Sequence, residues 1–202
     1  MITTIVFDVG GVLVRNENPI LRRNLEEKYD LPQNRVDELV FDSKAAKDST
    51  IGLVDPQKIW QDIADNLNLN QNELQIFMDD FWACDQLDQE LTQFLMNCRS
   101  NYKTALLTNA WKGARLALAE NYDLIEQKAV DQIIISSEQG VAKPDEIIYY
   151  ILKDKMGSDF QEILFIDDFI ENIQAADKLG IQTIHYQPEM DLIGTIELIL
   201  QN

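Results

Sequence analysis

Four short clusters of polar residues hold the side chains of this chain that are best suited to chemistry. They are Asp8 with the Gly10-Gly11 pair, Thr108 with Asn109, Lys143, and the pair Asp167-Asp168. Three carboxylates, one ammonium and a hydroxyl beside an amide can bind a cation and an anionic group together if the fold brings them to one place. The elements that carry these residues must therefore converge.

Each cluster stands at the end of an apolar run or at the start of a helix-like stretch. The apolar runs cover residues 3–7, 103–108, 133–136 and 163–166, with a fifth over residues 181–186. Nearly continuous apolar character is typical of parallel strands that are covered on both faces. Between the runs lie helix-like stretches, over residues 111–121, 144–156 and 171–179. This alternation predicts an α/β fold with a doubly wound parallel sheet, in which active sites lie at the carboxyl ends of the strands.

Helix boundaries in this part of the chain are indicated by two residues. Pro144 is expected in the first turn of its helix, and Gly180 is expected just past the end of the helix over residues 171–179.

The segment between the first strand and the rest of the sheet differs in pattern. It lacks a strong strand run and contains amphipathic stretches over residues 19–29, 34–46, 56–66 and 73–82. Asp55 followed by Pro56 is a typical helix start. We therefore predict a small helical domain over residues 15–90, inserted into an α/β core domain formed by residues 1–14 and 91–202.

Charge at the predicted sheet edge indicates a metal ion. Asp8, Asp167 and Asp168 would lie near one another at partly buried strand ends, where like charges raise the pKa of one carboxyl group and destabilise the fold. Mg²⁺ resolves this conflict, because it binds carboxylates, a backbone carbonyl and waters. The Gly10-Gly11 pair allows a tight turn that brings a carbonyl to the metal. Such a cation would also attract a phosphate ester.

Composition excludes several other partners. The chain has 202 residues with 17 Lys and Arg against 35 Asp and Glu, a formal net charge of −18. Acidity of this size argues against a nucleic acid and against an anionic membrane surface, since both require positive charge. No apolar run reaches the roughly 18 residues of a spanning helix, and the N-terminus does not resemble a signal peptide. We therefore expect a cytoplasmic protein, while its oligomeric state is not predicted.

Cysteine and histidine are too few to suggest other chemistry. Cys84 and Cys98 are expected to be buried thiols, and the single histidine, His185, is expected to be structural.

The four clusters resemble the motifs of a known family. In order, FDVGGVL, LLTN, GVAKPDEIIY and FIDDFIEN resemble the four motifs of the haloacid dehalogenase superfamily of hydrolases, which are chiefly phosphatases. The resemblance covers residues 2–14 and 91–187. The helical segment stands where that superfamily carries a cap domain, and residues 49–60 (STIGLVDPQKIW) look like a stretch common in those caps.

This resemblance implies a role for each residue that would meet the phosphoryl group. Asp8 would be the nucleophile that forms an aspartyl-phosphate. Lys143 would neutralise the nucleophile and the transferring group. Thr108 and Asn109 would hold phosphoryl oxygens. Positioning and electrostatic stabilisation dominate such reactions, so these roles agree with the residue types.

The resemblance also implies the metal ligands and exposes one departure. Asp8, the carbonyl of Gly10 and Asp167 would bind Mg²⁺, with Asp168 bound directly or through water. Most phosphatases of the superfamily carry a second Asp, a general acid and base, at the position of Gly10. Dehalogenases lack it, as does a branch resembling sugar-1-phosphate phosphatases. A general acid typically contributes about 10²–10⁴-fold, so its loss favours good leaving groups, such as those of anomeric sugar phosphates or aryl phosphates.

The sequence thus predicts a Mg²⁺-dependent phosphatase for a small phosphorylated metabolite, with sugar phosphates among the expected substrates. Two alternatives stay open. A non-catalytic binding or scaffold protein would explain Gly10. A metal-free dehalogenase would use Asp8 on carbon, but dehalogenases of the superfamily resemble SSN where this chain has Asp167-Asp168.

Few substrate contacts are predicted. Trp111 and Phe169, next to the second and fourth motifs, are expected to pack in the core. Arg15, Asn16 and the pair Phe81-Trp82 are expected near the hinges of the helical segment.

Overall fold

A parallel sheet of five strands forms the centre of the computed structural model, which describes residues 1–16 and 18–201. The strands are β1 (Thr4–Phe7), β2 (Val14–Asn16), β3 (Asp85–Leu87), β4 (Lys103–Thr108), β5 (Gln132–Ile135), β6 (Ile163–Asp167) and β7 (Gln182–His185). The central sheet has the order β5-β4-β1-β6-β7, and β2 pairs with β3 in a separate antiparallel sheet. This confirms the predicted α/β class and all five predicted strands.

Helices cover both faces of this sheet. In chain order the α-helices are α1 (Ile20–Lys28), α2 (Arg35–Asp37), α3 (Lys44–Thr50), α4 (Gln57–Leu67), α5 (Gln71–Trp82), α6 (Gln89–Cys98), α7 (Ala114–Tyr122), α8 (Ser136–Gln139), α9 (Glu146–Met156), α10 (Ile170–Lys178) and α11 (Leu192–Leu200). A π-helical turn (Glu38–Asp42) follows α2, and a 3₁₀ turn (Phe160–Glu162) precedes β6.

Alternation along β1 explains the two layers. Ile5 and Phe7 face one hydrophobic cluster, with residues of α6, α7 and α11. Val6 faces the opposite cluster, with residues of α9 and α10. Successive strand side chains point to opposite faces, so a strand that is apolar at every position is buried on both sides.

The helical insert, which we define as α1 to α5 with the π-helical turn, has its own hydrophobic cluster. Leu25, Ile59, Ile63 and Phe77 are at most 1% exposed within it. The predicted helical nature of this segment is confirmed. Its treatment as a separate domain over residues 15–90 stays a prediction.

Local capping chemistry explains most helix boundaries. Asp55 accepts a hydrogen bond from the N–H of Gln57 at the start of α4, in agreement with the predicted helix start. Asn70 and Glu73 form a capping box that begins α5. Gly180 follows α10 with φ of +85°, the left-handed conformation expected of a residue past a helix end.

Three predicted boundaries were wrong. The helix expected over residues 34–46 is interrupted, because Ser43 is extended and its hydroxyl caps α3 by accepting from the N–H of Ala46. Pro144 lies before α9 rather than in its first turn, since Asp145 is the N-cap. Strand β5 ends at Ile135, and Ser136 begins α8.

The pairing register of β1 with β4 and β6 places the polar clusters that follow these strands next to one another. Phe7 pairs with Leu106 of β4 and with Ile166 of β6. The next residue, Asp8, therefore emerges from the carboxyl edge of the sheet beside Asp167. No helix among the described residues combines the length and apolar character needed to cross a bilayer.

Candidate active site

Asp8 lies at the carboxyl end of β1 and is 8% exposed. Its backbone N–H donates to the carbonyl of Ile166 at 2.8 Å, which fixes it beside β6. The N–H of Val9 donates to Oδ1 at 2.7 Å, and the Lys143 ammonium lies 2.9 Å from the same oxygen. The carboxylate is thus held in one orientation at the base of a cavity that Gly10, Thr108 and Lys143 also line.

Lys143 is the central cation of the site. Its Nζ lies 2.9 Å from Asp8 Oδ1, 2.7 Å from Asp167 Oδ2 and 2.8 Å from the carbonyl oxygen of Leu107. A lysine ammonium has three hydrogens, and these three acceptors match them. Burial lowers the pKa of Lys143, but the Asp8 and Asp167 carboxylates outweigh burial and raise that pKa above its ordinary value.

The side chain of Asn109 bonds to the backbone of Lys143, and the expectation that Asn109 holds phosphoryl oxygens stays a prediction. Its Oδ1 accepts from the backbone N–H of Lys143 at 2.9 Å, and its Nδ2 donates to the carbonyl of Lys143 at 2.8 Å. The two ends of the amide therefore hold the backbone of the residue that carries the ammonium. Thr108, at the end of β4, is 5% exposed and lines the cavity.

Asp167 is completely buried at the end of β6. Its Oδ1 accepts from the N–H of Phe169 at 2.8 Å, and Nδ2 of Asn172 lies 3.0 Å from Oδ1 and 3.1 Å from Oδ2. Sequence reasoning did not assign Asn172 to the site. The sequence feature that could have identified Asn172 is its position five residues after Asp167, in the first turn of α10.

Asp168 completes the acidic group and depends on a glycine. Its carboxylate lies against Gly11, where a Cβ atom would overlap it, and Gly11 has φ of +79°. A side chain at position 11 would therefore be strained and would displace Asp168. His185 Nε2 lies 3.0 Å from the carbonyl oxygen of Asp168, so this lone histidine supports the backbone of the acidic pair.

Three carboxylates meet closely enough to share a cation. One oxygen from each of Asp8, Asp167 and Asp168 lies within 4.8 Å of the others. With Lys143 the group carries a formal charge of −2 when all are ionised. Burial, and the neighbouring Asp167 and Asp168 charges, raise the pKa of Asp8 to about 7 although Lys143 lowers it. Burial and Asp167 also raise the pKa of Asp168. The site is short of positive charge.

Gly10 faces the cavity without obstruction. A Cβ atom at this position would meet no atom within 4 Å, and the residue is exposed. The site therefore lacks an acidic side chain at position 10 only because the residue is glycine, since there is space for a side chain.

The cavity above Asp8 has a volume of about 730 Å³. Phe41 and Arg22 of the helical insert line it together with Phe169. The expectation that Phe169 packs in the core was wrong, since its side chain is 62% exposed beside the cavity. Trp111 does pack, against Phe41, Trp60 and Trp82 of the insert.

The remaining sequence expectations can be placed as well. Cys84 and Cys98 are buried free thiols, as predicted, and burial raises the pKa of Cys98 to about 11. Asn16 in β2 pairs with Asp85 in β3 at the two ends of the helical insert.

A family model described as haloacid dehalogenase-like hydrolase matches residues 2–180. The chain belongs to the haloacid dehalogenase-like hydrolase family. The family confirms the resemblance read from the four motifs.

Solved structures share the fold of this hydrolase. One is a haloacid dehalogenase family enzyme from Bacteroides thetaiotaomicron in complex with magnesium and inorganic phosphate, with a TM-score of 0.76, 22% identity, and coverage of 95% of this chain and 98% of that chain. Another is an L-2-haloacid dehalogenase from Xanthobacter autotrophicus with a TM-score of 0.67, 19% identity, and coverage of 99% and 83%. At these identities the likeness shows the fold alone.

Two curated relatives differ in extent. A sesquiterpene phosphatase from Aspergillus oryzae is 24% identical over 181 residues, which are 89% of this hydrolase and 87% of the relative. The mouse acyl-CoA dehydrogenase family member 10 is 28% identical over 111 residues, or 54% of this hydrolase. The chain spans only 10% of the length of that mouse protein.

Proposed function

We propose that this hydrolase is a Mg²⁺-dependent phosphatase that acts on a small phosphate monoester through an aspartyl-phosphate on Asp8. The observation that carries the proposal is the position of Lys143, which contacts both Asp8 and Asp167 while Asp168 lies close enough to share a cation with them. A buried nucleophile, a fixed ammonium and a metal-binding acid at one sheet edge are the parts that phosphoryl transfer requires.

The residues present fit Mg²⁺. Hard carboxylate oxygens are its preferred protein ligands, and three of them lie within 4.8 Å of one another. Asp8, Asp167 and Asp168 would hold the ion, with the Gly10 carbonyl as the fourth protein ligand. When bound, Mg²⁺ would supply the positive charge that attracts the phosphoryl oxygens and stabilises the charge they carry in the transition state.

The chain's own residues would perform the covalent step. The Asp8 carboxylate attacks phosphorus, and the bond from phosphorus to the ester oxygen breaks. Lys143 opposes the rise in the pKa of Asp8 and neutralises the transferring group, while Asn109 fixes the backbone of Lys143. The Thr108 hydroxyl donates to a phosphoryl oxygen. Water then attacks the phosphorus of the acyl phosphate and restores Asp8.

The helical insert would act as a cap over this site. Its residues Arg22 and Phe41 line the same cavity as Asp8 and Lys143. Closure of such a lid excludes water and completes the set of contacts around a substrate.

The similar proteins support a phosphatase. The Aspergillus oryzae relative is a sesquiterpene phosphatase, and the Bacteroides thetaiotaomicron structure holds magnesium and phosphate. The acidic pair Asp167-Asp168 opposes a metal-free dehalogenase, since that reaction needs no cation. A cytoplasmic location and the lack of a nucleic-acid or membrane partner stay predictions from the sequence.

Phosphate release tests the proposal. Wild-type protein with Mg²⁺ is expected to release phosphate from acetyl phosphate, EDTA is expected to abolish the activity, and Asp8→Asn is expected to lower it at least about 10³-fold because the nucleophile is lost. Asp62→Asn, on the exposed face of α4, is the matched control and should retain activity.

Two outcomes would contradict it. Wild-type protein that is as inert as Asp8→Asn across a phosphate library would favour the scaffold alternative. Release of chloride from 2-chloropropionate in EDTA would favour the dehalogenase.

A further inference from the structure

The lining of the cavity above Asp8 has two chemically different parts. Asp8, Thr108 and Lys143 are the polar part, which would receive the phosphoryl group. Two exposed rings are the apolar part, with Phe41 43% exposed and Phe169 62% exposed. Exposed aromatic rings that face a catalytic cavity from two different elements provide apolar surface for the organic body of a substrate.

The ring of Phe41 packs against three other aromatic rings, although it is partly exposed. Its ring centroid lies 5.5 Å from that of Phe81, 6.1 Å from that of Trp82 and 5.9 Å from that of Trp111. Trp111 belongs to the loop after β4, so the ring is braced by both the insert and the sheet layer. A braced ring loses little side-chain entropy when a ligand packs against it.

Several polar side chains that line the cavity already form hydrogen bonds with other groups of the protein. Arg22 donates to Asp37, to Asp85 and to the carbonyl of Phe81. Asn109 holds the backbone of Lys143, and Asn172 holds Asp167. These side chains are therefore held in place by partners within the protein, which favours an organic body that is less polar than a sugar.

The carboxylates of Glu171 and Asp85 also line the cavity, and Asp85 is paired with Arg22. The lining therefore disfavours a second anionic group on the organic body of the substrate.

The leaving group must also depart with little help from position 10. Gly10 offers no side chain to protonate the ester oxygen, although a Cβ there would be unobstructed. A phenol, with a pKa near 10 as in tyrosine, leaves far more easily as its anion than an alkanol does. The two apolar rings and the absence of an acid at position 10 therefore both favour an aryl phosphate ester.

We infer that the substrates of this site are phosphate monoesters of phenols that carry no second anionic group, with the aryl ring packed against Phe41 and Phe169. The inference rests on the proposed phosphatase function. In the reaction the phosphorus–oxygen bond to the aryl group breaks as the Asp8 oxygen bonds to phosphorus, and the phenolate leaves. Water then supplies one oxygen to phosphate and one proton to the phenolate, so the products are the phenol and inorganic phosphate.

Binding tests the inference independently of turnover. Phenylphosphonate and methylphosphonate carry a carbon–phosphorus bond that the site does not hydrolyse, and they differ in the ring. Titration with Mg²⁺ present, followed by tryptophan fluorescence and calorimetry, is expected to show phenylphosphonate binding about tenfold more tightly. Trp82 and Trp111 lie against Phe41, so their emission should change. Equal affinities would overturn the inference.

Substitutions locate the ring. Phe41→Ala and Phe169→Ala are each expected to reduce the preference for phenylphosphonate over methylphosphonate about threefold to tenfold. Phe169 is the safer of the two, since its 62% exposure means that the change removes little packing. Ile147→Ala, an exposed residue of α9 at 57%, is the matched control and should retain the preference. A preference that survives both Phe substitutions would overturn the inference.

Kinetics separate this inference from the proposed function. Acetyl phosphate, phenyl phosphate and glucose 1-phosphate are compared by kcat/KM. Hydrolysis of either ester that is lost in Asp8→Asn establishes the phosphatase, with acetyl phosphate as a probe of phosphoryl transfer to Asp8 alone, and phenyl phosphate is expected to exceed glucose 1-phosphate at least about tenfold. Equal rates, or a preference for the sugar phosphate, would overturn the aryl assignment and leave the phosphatase intact. No hydrolysis of any of the three would overturn the proposed function itself.

Discussion

Gly10 marks the largest departure of this site from the phosphatases that its motifs resemble. The backbone there does not require a glycine, because the residue has no positive φ and a Cβ would meet no atom within 4 Å. The neighbouring Gly11 is the opposite case, with φ of +79° and the Asp168 carboxylate where its Cβ would lie. The absence of an acid at position 10 can therefore be reversed without altering the fold.

Gly10→Asp is expected to raise kcat/KM for ethyl phosphate at least about tenfold, since a positioned acid contributes about 10²–10⁴-fold and an alkoxide leaving group needs the proton most. The rate for phenyl phosphate should change little. Gly10→Asn is the control, because it has the same size and no acidic proton. If kcat/KM rises equally for both esters, or if Gly10→Asn gives the same increase, protonation of the leaving group is not the cause of the change.

Sequence identified the charged residues of the site better than the residues that hold them. Asp8, Lys143 and Asp167 follow from motif order and strand ends, and the structure brings them into contact. Asn109 bonds across 34 positions to the Lys143 backbone. His185 reaches the Asp168 carbonyl from the neighbouring strand. These hydrogen bonds join residues that are far apart in the sequence and close only in the folded protein, so a single sequence does not reveal them.

At the scale of elements, one hydroxyl connects the insert to the loop after β4. Ser136, the first residue of α8, is completely buried. Its Oγ donates to the carbonyl of Thr50 at 2.6 Å and accepts from the N–H of Ala110 at 3.0 Å. Thr50 ends α3, and Ala110 follows the Thr108-Asn109 motif. The neighbouring Ser137 has a buried hydroxyl without a described partner.

Ser136→Ala is expected to lower the free energy of unfolding by about 1–3 kcal/mol, because it leaves the partly buried carbonyl of Thr50 and N–H of Ala110 without their partner. Ser137→Ala removes a hydroxyl of the same kind that makes no such bond, so its effect should stay below about 0.5 kcal/mol. Chemical denaturation followed by circular dichroism measures both. Equal losses would show that the hydroxyl link does not stabilise the fold.

The two short strands of the separate antiparallel sheet were missed for a physical reason. Strands β2 and β3 have three residues each and mixed polarity, and they pair across about 70 positions, as Arg15 does with Gln86. A strand of three residues has no readable period. In contrast, the five central strands and helices α1, α4 and α5 were predicted because apolar spacing alone specifies them. The break at Ser43 arises from a capping bond that competes with helix continuation.

For the whole molecule, the formal charge of −18 opposes the approach of any phosphate ester. Residues 15–90 and the remainder of the chain share this acidity evenly, so the surface repels anions from both parts. Attraction is confined to the site itself. Screening of the long-range repulsion by salt should therefore help the substrate reach the cavity.

Raising KCl from about 10 mM to about 150 mM shortens the Debye length from roughly 30 Å to roughly 8 Å. With Mg²⁺ held saturating, KM for phenyl phosphate is expected to fall severalfold while kcat stays constant. Initial rates over a substrate series measure both. A KM that rises with salt would indicate that attraction, not repulsion, governs the encounter.

The bonding of Lys143 has a consequence for chemical labelling. Amine-reactive reagents need both access and a neutral amine, and Lys143 is 4% exposed, donates to three acceptors and has a raised pKa. Acylation should therefore modify surface lysines such as Lys44, whose side chain is 87% exposed, and spare Lys143. Dyes or surface attachments can be placed on the lysines of the folded protein without modifying the ammonium between Asp8 and Asp167.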